Sequence, residues 1–355
     1  MQGGKAVRNK LWIIALVIVV LCTCSCTHGQ GADGSDDTVQ REVFAMDTVM
    51  IIRATGKTAQ TAVDQAVAEI NRLDALLSAG SGQSEIGMIN LNGEGELSED
   101  ALFLVRRSLE FYKSTEGAYD ITVYPLMKLW GFAGGNAAVP EEGRIREVLS
   151  QCGSDKLRLD GNRLILGKSQ SIDLGGIAKG YTSDRIMKIF EDNGVTSGMV
   201  SLGGNVACYR TKPDGSLWRC GITDPEKPDD STSLLGIVSV RDKSVITSGG
   251  YERFFTDESG KKYHHIMDMK TGYPADSGLL SVTIISEDGT LADGLSTALF
   301  VMGEEKAVDF WRGSGYSFDF VMLTADGRLL VSEGIADSFE SSTAQSLNSR
   351  FRIVR

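Results

Sequence analysis

The chain has 355 residues, 42% hydrophobic and 23% charged, with 41 Gly and 6 Pro, values inside the globular range and away from disorder, collagen or a coiled coil. Lys plus Arg number 36 against 47 Asp plus Glu, a net charge of -11, so the long-range field repels phosphate backbones and argues against nucleic acid as a partner. Only 3 His and 6 Cys are present, with Cys22, Cys24 and Cys26 clustered near the N-terminus, which excludes a disulfide scaffold and a Cys/His zinc module.

Lys5, Arg8 and Lys10 precede an apolar run from Leu11 to Leu21 that is too short to span a bilayer but fits the hydrophobic region of an export signal. The residues Leu21-Cys22-Thr23-Cys24-Ser25-Cys26 resemble a bacterial lipobox. Cys24 is the favoured lipidated residue, because Leu21 stands three positions before it; Cys26, preceded by the small Ser25, is the alternative. The stretch from Thr27 to Thr38 is small, polar and acidic, with nothing to bury, and reads as a flexible tether. The expected organisation is therefore a signal peptide over residues 1–23, a lipidated tether over 24–40 and a folded body over 41–355. An uncleaved anchor or a plain secretory signal is the competing reading. Removal of Lys5, Arg8 and Lys10 takes the net charge from -11 to -14. A lipidated chain of this kind is expected on the inner (cytoplasmic) membrane, with its body on the periplasmic side.

From Gln40 onward, strand-like and helix-like segments alternate without an internal repeat, which argues for one α+β unit with interwoven elements. Phe44 to Ala54 is rich in β-formers. Ala62, Ala66, Ile70, Leu73 and Leu77 fall at helical spacing within Thr58 to Leu77, and Ser98 heads a second helix through Leu102, Val105, Leu109 and Tyr112. Short strands are expected at 156–159 and 163–166 around Asp160-Gly161. Further strands are expected at 198–202, 235–240, 280–286 and 318–324, the last joined through Asp326-Gly327 to 328–331 as a closing hairpin.

Four segments suggest chemistry. Between Ser171 and Arg185, Gly175, Gly176 and Lys179 lie ahead of a helix expected over Asp184 to Phe190. Such a loop brings backbone N–H groups to an anion, with Lys179 as a point charge, or it is simply a tight turn; it matches neither the Walker pattern nor the Rossmann fingerprint. Gly203 and Gly204, in Ser201 to Asn205, offer a second close approach or a bulge. His264 and His265 are the two histidines of the body, and strand alternation points them to opposite faces. One of them can face a site, where a neutral imidazole is the natural proton acceptor; the other reading is a structural hydrogen-bonder. Asp293 and Thr297 stand four apart on a helix and present hard oxygen ligands suited to Mg²⁺. The competing reading makes Asp293 a helix cap with Thr297 bonded back to its own helix.

Read together, these segments resemble the ApbE family of FAD:protein FMN transferases, often exported lipoproteins. The resemblance runs through Phe44-Ala45-Met46-Asp47-Thr48, Ser84-Glu85-Ile86 with Asn90, Gly117 to Val123, Leu129-Trp130-Gly131-Phe132, the Lys179 loop, Ser201 to Asn205, Gly221 to Pro225, Thr247 to Arg253, the His265 segment and Ala292 to Gly303. It implies a single catalytic unit with two lobes around a flavin/Mg²⁺ cleft. It also implies Mg²⁺-dependent transfer of FMN from FAD to a Thr or Ser hydroxyl of an exported acceptor, with release of AMP. Acceptors of the family are subunits of Rnf-type and sodium-pumping quinone reductase (Nqr-type) complexes.

Carried onto this chain, the resemblance makes the Ala178 carbonyl and the side chains of Asp293 and Thr297 the metal ligands. It sets Lys179 near the phosphates, and Met46, Asp120, Thr122 and Ser248 against the flavin or adenosine. His265 helps activate the acceptor hydroxyl, with Asp268 the less favoured base. Because the body is acidic, the site is expected to supply a local cationic pocket. Two departures stand out: Met269 follows Asp268 where the family usually has proline, and Ala79-Gly80 replaces a common Thr-Tyr pair, removing an aromatic that could stack on the cofactor. FAD pyrophosphatase activity, yielding FMN and AMP, is the alternative reaction, and a non-enzymatic flavin-binding lipoprotein is the alternative without catalysis.

Overall fold

The structure, a computed structural model, describes residues 37–342 and 351–355. The expected export signal, the lipidation candidates Cys24 and Cys26, and residues 24–36 of the expected tether lie outside them. Among the described residues no helix is long and apolar enough to cross a membrane.

Nine strands form the central sheet in the spatial order 38–45, 48–55, 197–202, 205–209, 244–249, 279–286, 319–324, 329–332 and 351–354. All neighbours are antiparallel except the last pair. Segments from the two ends of the described chain thus share one sheet, as expected for an interwoven α+β unit. Thr38 to Gln40, expected in the tether, pair with Arg53 to Thr55 and belong to the first strand. The expected closing hairpin (319–324 with 329–332) forms, but strand 351–354 adds beyond it and takes the edge.

Helices α1 (Ala59–Leu77), α2 (Glu85–Asn92), α3 (Glu99–Ser114), α4 (Tyr124–Leu129), α5 (Glu142–Gln151), α6 (Gly175–Asp192), α7 (Gly289–Met302) and α8 (Glu304–Gly313) complete the main framework. Period-two alternation makes the central strands apolar on both faces. Val200, Ala207, Ile246, Ile284, Phe320 and Met322 turn toward the helical layer containing α1, α6 and α7. Their chain neighbours Met199, Cys208, Val245, Ile285, Val321 and Leu323 pack instead with a three-stranded sheet, 218–223, 234–240 and 339–341. A separate aromatic cluster around Trp130 joins α4 and α5 to the short hairpins 254–256/262–264 and 267–268/273–274. Trp130 Nε1 donates to the Gly272 carbonyl at 2.9 Å, and its ring lies 5.5 Å from those of Tyr263 and Tyr273. This cluster is the second lobe, and the cleft opens between it and the sheet.

The β-formers of Phe44 to Ala54 fall in two strands, because the chain reverses at Met46 and Asp47, whose φ values are 48° and 60°. One local expectation changes. Helix α6 begins at Gly175, nine residues before Asp184, so the glycines and Lys179 lie in its first turns rather than in a preceding loop. Glycine is a poor helix former, but Gly180 lets α6 cross α7 closely. A Cβ there would meet the Gly289 carbonyl oxygen at 2.2 Å and Asp293 Cβ at 2.6 Å.

Candidate active site

A cleft of about 1840 Å³ runs between the lobes, larger than the roughly 300–1,000 Å³ typical of small-molecule pockets. Twelve of the expected site residues line it: Met46, Asp120, Gly175, Gly176, Ala178, Lys179, Gly203, Gly204, Ser248, His265, Asp293 and Thr297.

The crossing of α6 and α7 forms its most rigid wall. Asp288 caps α7 by accepting from Leu291 N at 2.7 Å. Asp184 on α6 accepts from Gly289 N and Thr290 N, each at 2.8 Å, tying the start of α7 to α6; burial pushes its carboxyl up to about 6. Asp293 is therefore not a cap. It lies one turn in, 4% exposed, where Oδ2 accepts from Gly180 N at 2.8 Å and Oδ1 from Asn205 Nδ2 at 2.9 Å. Thr297 is one turn further along, its Oγ1 3.2 Å from Ser248 Oγ, rather than bonded back to its own helix. The Ala178 carbonyl accepts from Thr182 Oγ1 at 2.7 Å.

These three donors are all hard oxygens, and the Asp293 carboxylate and Thr297 hydroxyl keep lone pairs beyond their protein partners. That chemistry fits Mg²⁺, which takes few protein ligands and completes its shell with phosphate and water. No group of three or more His, Cys, Asp or Glu able to hold a metal occurs among the described residues, so the donor set is the wrong one for a zinc cage.

Gly203 and Gly204 (φ 61° and 95°) make the two-residue turn between strands 197–202 and 205–209, the geometry that favours glycine in tight hairpins. This turn abuts the Met46-Asp47 turn: a Cβ on Gly203 would lie 2.5 Å from Thr48 Oγ1. Met46 N donates to Asp74 Oδ1 at 3.1 Å. Two segments 150 and more residues apart in sequence thus share one end of the cleft.

Another part of the lining carries His265. Its backbone N–H donates to the Arg253 carbonyl at 3.1 Å, and Nδ1 lies 3.2 Å from the same oxygen. A carbonyl can only accept, so Nδ1 carries the ring proton and Nε2 keeps its lone pair. Desolvation, followed by the Arg253 charge, holds the imidazole down at about 3, and the ring stays neutral. His264 turns the other way, with Nε2 3.0 Å from the Ala275 carbonyl and its ring against Phe300, a structural role. Arg253 also donates to the Phe132 carbonyl at 2.7 Å.

Two expected site residues are not brought to the cleft. Thr122 is fully buried, receives Gly153 N at 2.7 Å and donates to Asp120 Oδ1 at 2.7 Å. Asp120 touches the cleft, yet its carboxylate is taken up by Thr122 and Ser154; the pair pins two loops together. Asp268 accepts from Lys270 N at 2.8 Å and heads the turn to Gly272. It does not line the cleft, whereas Met269 beside it does.

The expected cationic pocket is not found. Six Lys or Arg line the cleft against eight Asp or Glu, so Lys179 and Arg253 stand among carboxylates. Asp173 and Glu252 are two that sequence reasoning passed over. Burial raises the Asp173 carboxyl, against Gly175 N, Arg253 and Lys179. Glu252 is exposed on the cleft lining, and desolvation by the surrounding protein pushes its carboxyl up to about 7 against the pull of Lys179.

Asn205 was likewise passed over, although its place after Gly203-Gly204 in a tight hairpin was a signal. Gly80 does not leave a gap in aromatic lining. Tyr124, at the start of α4, has its hydroxyl 3.0 Å from where a Cβ on Gly80 would stand, and it lines the cleft with Ala79.

Comparison with known proteins gives concordant matches. The sequence model of the ApbE family matches residues 46–319. The FAD:protein FMN transferase of Treponema pallidum is 31% identical over 92% of this chain and 94% of its own length. That of Vibrio cholerae is 30% identical over 89% and 95%. Among solved structures, the ApbE protein of Thermotoga maritima superposes with a TM-score of 0.79 at 34% identity, over 85% of this chain and 99% of the other. The flavin transferase ApbE from Vibrio cholerae gives 0.76 at 26% identity, over 85% and 99%.

Proposed function

On the premise that this chain belongs to the ApbE family, we propose that it is an FAD:protein FMN transferase that esterifies a threonine or serine hydroxyl of an exported acceptor protein and releases AMP. In this reaction the acceptor oxygen bonds to the FMN phosphorus of FAD, the P–O bond to the AMP phosphate breaks, and the hydroxyl proton must be taken up. The observation that carries the reading is His265. Its Nδ1 is committed to the Arg253 carbonyl, so its Nε2 is an unprotonated acceptor on a residue that lines the same cleft as Asp293. The pKa of about 3 keeps the ring neutral but makes it a weak base until the charge of a bound substrate raises it.

Asp293, Thr297 and the Ala178 carbonyl would hold Mg²⁺, which when bound neutralises pyrophosphate charge as it develops on the transferring and leaving groups. The acidic balance of the cleft supports this role, because an anionic dinucleotide needs more positive charge than Lys179 and Arg253 supply. Lys179 stabilises the phosphates. At the start of α6 the Gly175 N–H is engaged by Asp173 Oδ1 at 2.8 Å, so the Gly176 N–H and the helix end are what favour an anion there. Met46 and Tyr124 offer apolar surface to the flavin or adenine.

Export and lipid anchoring through Cys24, or Cys26, on the periplasmic side of the inner membrane belong to the same reading. They would place the enzyme beside membrane-complex subunits of the Rnf or Nqr type. One assay tests the whole: the chain is incubated with FAD and Mg²⁺, with and without an acceptor domain, and AMP, free FMN and acceptor mass are followed. Transfer predicts one FMN added per acceptor with matching AMP. AMP and free FMN without acceptor modification would make the enzyme a pyrophosphatase, and intact FAD with no AMP would remove both catalytic readings.

A further inference from the structure

Away from the phosphate-binding end, two buried thiols meet across the interface between the sheets. Cys208 lies in the fourth strand of the central sheet, opposite Met199, and alternation turns its side chain away from the helices toward the three-stranded sheet. Cys220 lies in the strand Trp218–Thr223 of that small sheet, where Cys220 and Ile222 point inward and Arg219 and Gly221 outward. Their sulfur atoms are 3.8 Å apart and both are free thiols. Cys208 is 2% exposed and Cys220 8%, both edge on the cleft, and between them the chain passes through Lys212 and Arg219, which also line it. Cys152, the third cysteine of the body, is in the aromatic lobe.

We infer that Cys208 and Cys220 are a disulfide-forming pair that staples the small sheet, and with it one wall of the cleft, to the central sheet. Three features point this way. The two side chains approach from different sheets, so a bond between them links layers that share no backbone hydrogen-bond ladder. Movement of the sulfurs from 3.8 Å to a bonded separation of about 2.05 Å needs less than the reach of side-chain rotation. The bond would close the short loop 208–220, a constraint on the unfolded chain that stabilises the folded one.

The chemistry is ordinary exchange with an external disulfide, either a small molecule or a disulfide-bearing protein. Cys220, the more accessible thiol, loses its proton to water and attacks one sulfur of the oxidant, releasing one thiol and leaving a mixed disulfide. Cys208 then loses its proton and attacks Cys220 Sγ, releasing the second thiol. Two protein thiols are oxidised and one disulfide is reduced, with no other reactant.

The test uses the folded chain incubated with oxidised glutathione, then denatured, alkylated with iodoacetamide and digested for mass spectrometry. The expected product is a single crosslink joining the peptides that contain Cys208 and Cys220, with Cys152 alkylated. Its thermal midpoint is expected a few degrees above that of the dithiothreitol-reduced protein, a rise that Cys220→Ala and Cys208→Ala each abolish. If either variant fails to fold, the wild-type comparison of oxidised with reduced protein still decides. Complete alkylation of both cysteines after oxidation would overturn the pairing and leave two small apolar core residues. A crosslink to Cys152 or to the N-terminal cysteines would overturn it as well. A Cys208–Cys220 bond that leaves the midpoint unchanged or lowers it would overturn the stapling role.

Discussion

The two walls of the cleft are built in different ways. On one, Asp293, Thr297, Ala178 and Lys179 ride on α6 and α7, helices of 18 and 14 residues, locked by the Gly180 crossing and the Asp184 clamp. On the other, His265 rides on hairpins of two and three residues per strand, held by an aromatic cluster and one backbone carbonyl. The helical wall fixes charge to the accuracy of a packed core, and such preorganised charge costs no rearrangement when the reaction develops its own. The hairpin wall fixes a proton acceptor by a single hydrogen bond and by desolvation. The helical side should therefore dominate the rate through charge, and the hairpin side should act on the proton and the acceptor with little influence on FAD affinity.

Substitutions that break one wall at a time test that division. Asp293→Ala should cost the most, on the order of 10²–10³ in metal-dependent AMP release, with a melt to establish that the protein is folded, since Gly180 N and Asn205 lose their acceptor. Unchanged AMP release would refute the metal assignment. His265→Ala should reduce transfer by roughly 10² while FAD titration stays near wild type; equal loss of binding and transfer would make the imidazole a structural group.

The same residue provides a pH test. Its folded-state pKa of about 3 lies below the unfolded value of about 6.5, so its contribution to stability is intact above 6.5 and is lost as pH falls toward 3. Its ring signals in an NMR titration should stay constant between pH 8 and roughly 5, and an inflection near 6.5 would contradict the desolvated environment. Tyr124→Ala should weaken FAD binding by about tenfold or less, the scale of one aromatic contact, with the chemical step in saturating FAD little changed. The smallest effect belongs to Asp268→Ala. It removes a turn bond worth about 1 kcal/mol and should leave transfer within about twofold, whereas a large loss at unchanged stability would return Asp268 to the list of bases.

Much of this was legible in the sequence for local reasons. The spacing of Ala62 to Leu77 and the Ser98 cap gave α1 and α3, because one apolar face or one side-chain oxygen suffices to fix a helix and its start. Asp293 and Thr297 did share a helix as their spacing required, and one histidine of the pair did face the cleft. What misled was context. Gly175 to Lys179 read as a loop because glycine disfavours helix, and only the partner helix reveals why glycine is wanted at 180. Thr122 and Asp268 read as site residues through the resemblance, while their hydrogen bonds to nearby loops absorb them locally.

By itself the sequence determined the identity of the chemical groups and their mounting: a carboxylate and a hydroxyl four apart on one helix, one candidate imidazole, and glycines where backbones must approach. These are properties of residue type and short spacing, and they survive any arrangement of the elements. Only the tertiary structure decided that Met46 and Gly203 share one end of the cleft, that Asn205 and Gly180 orient Asp293, that Tyr124 stands where Gly80 leaves room, and that the cleft is lined by more carboxylates than cations. Each of these depends on contacts between segments tens to hundreds of residues apart. Such contacts follow from sheet order and helix crossing, which no periodicity along the chain encodes.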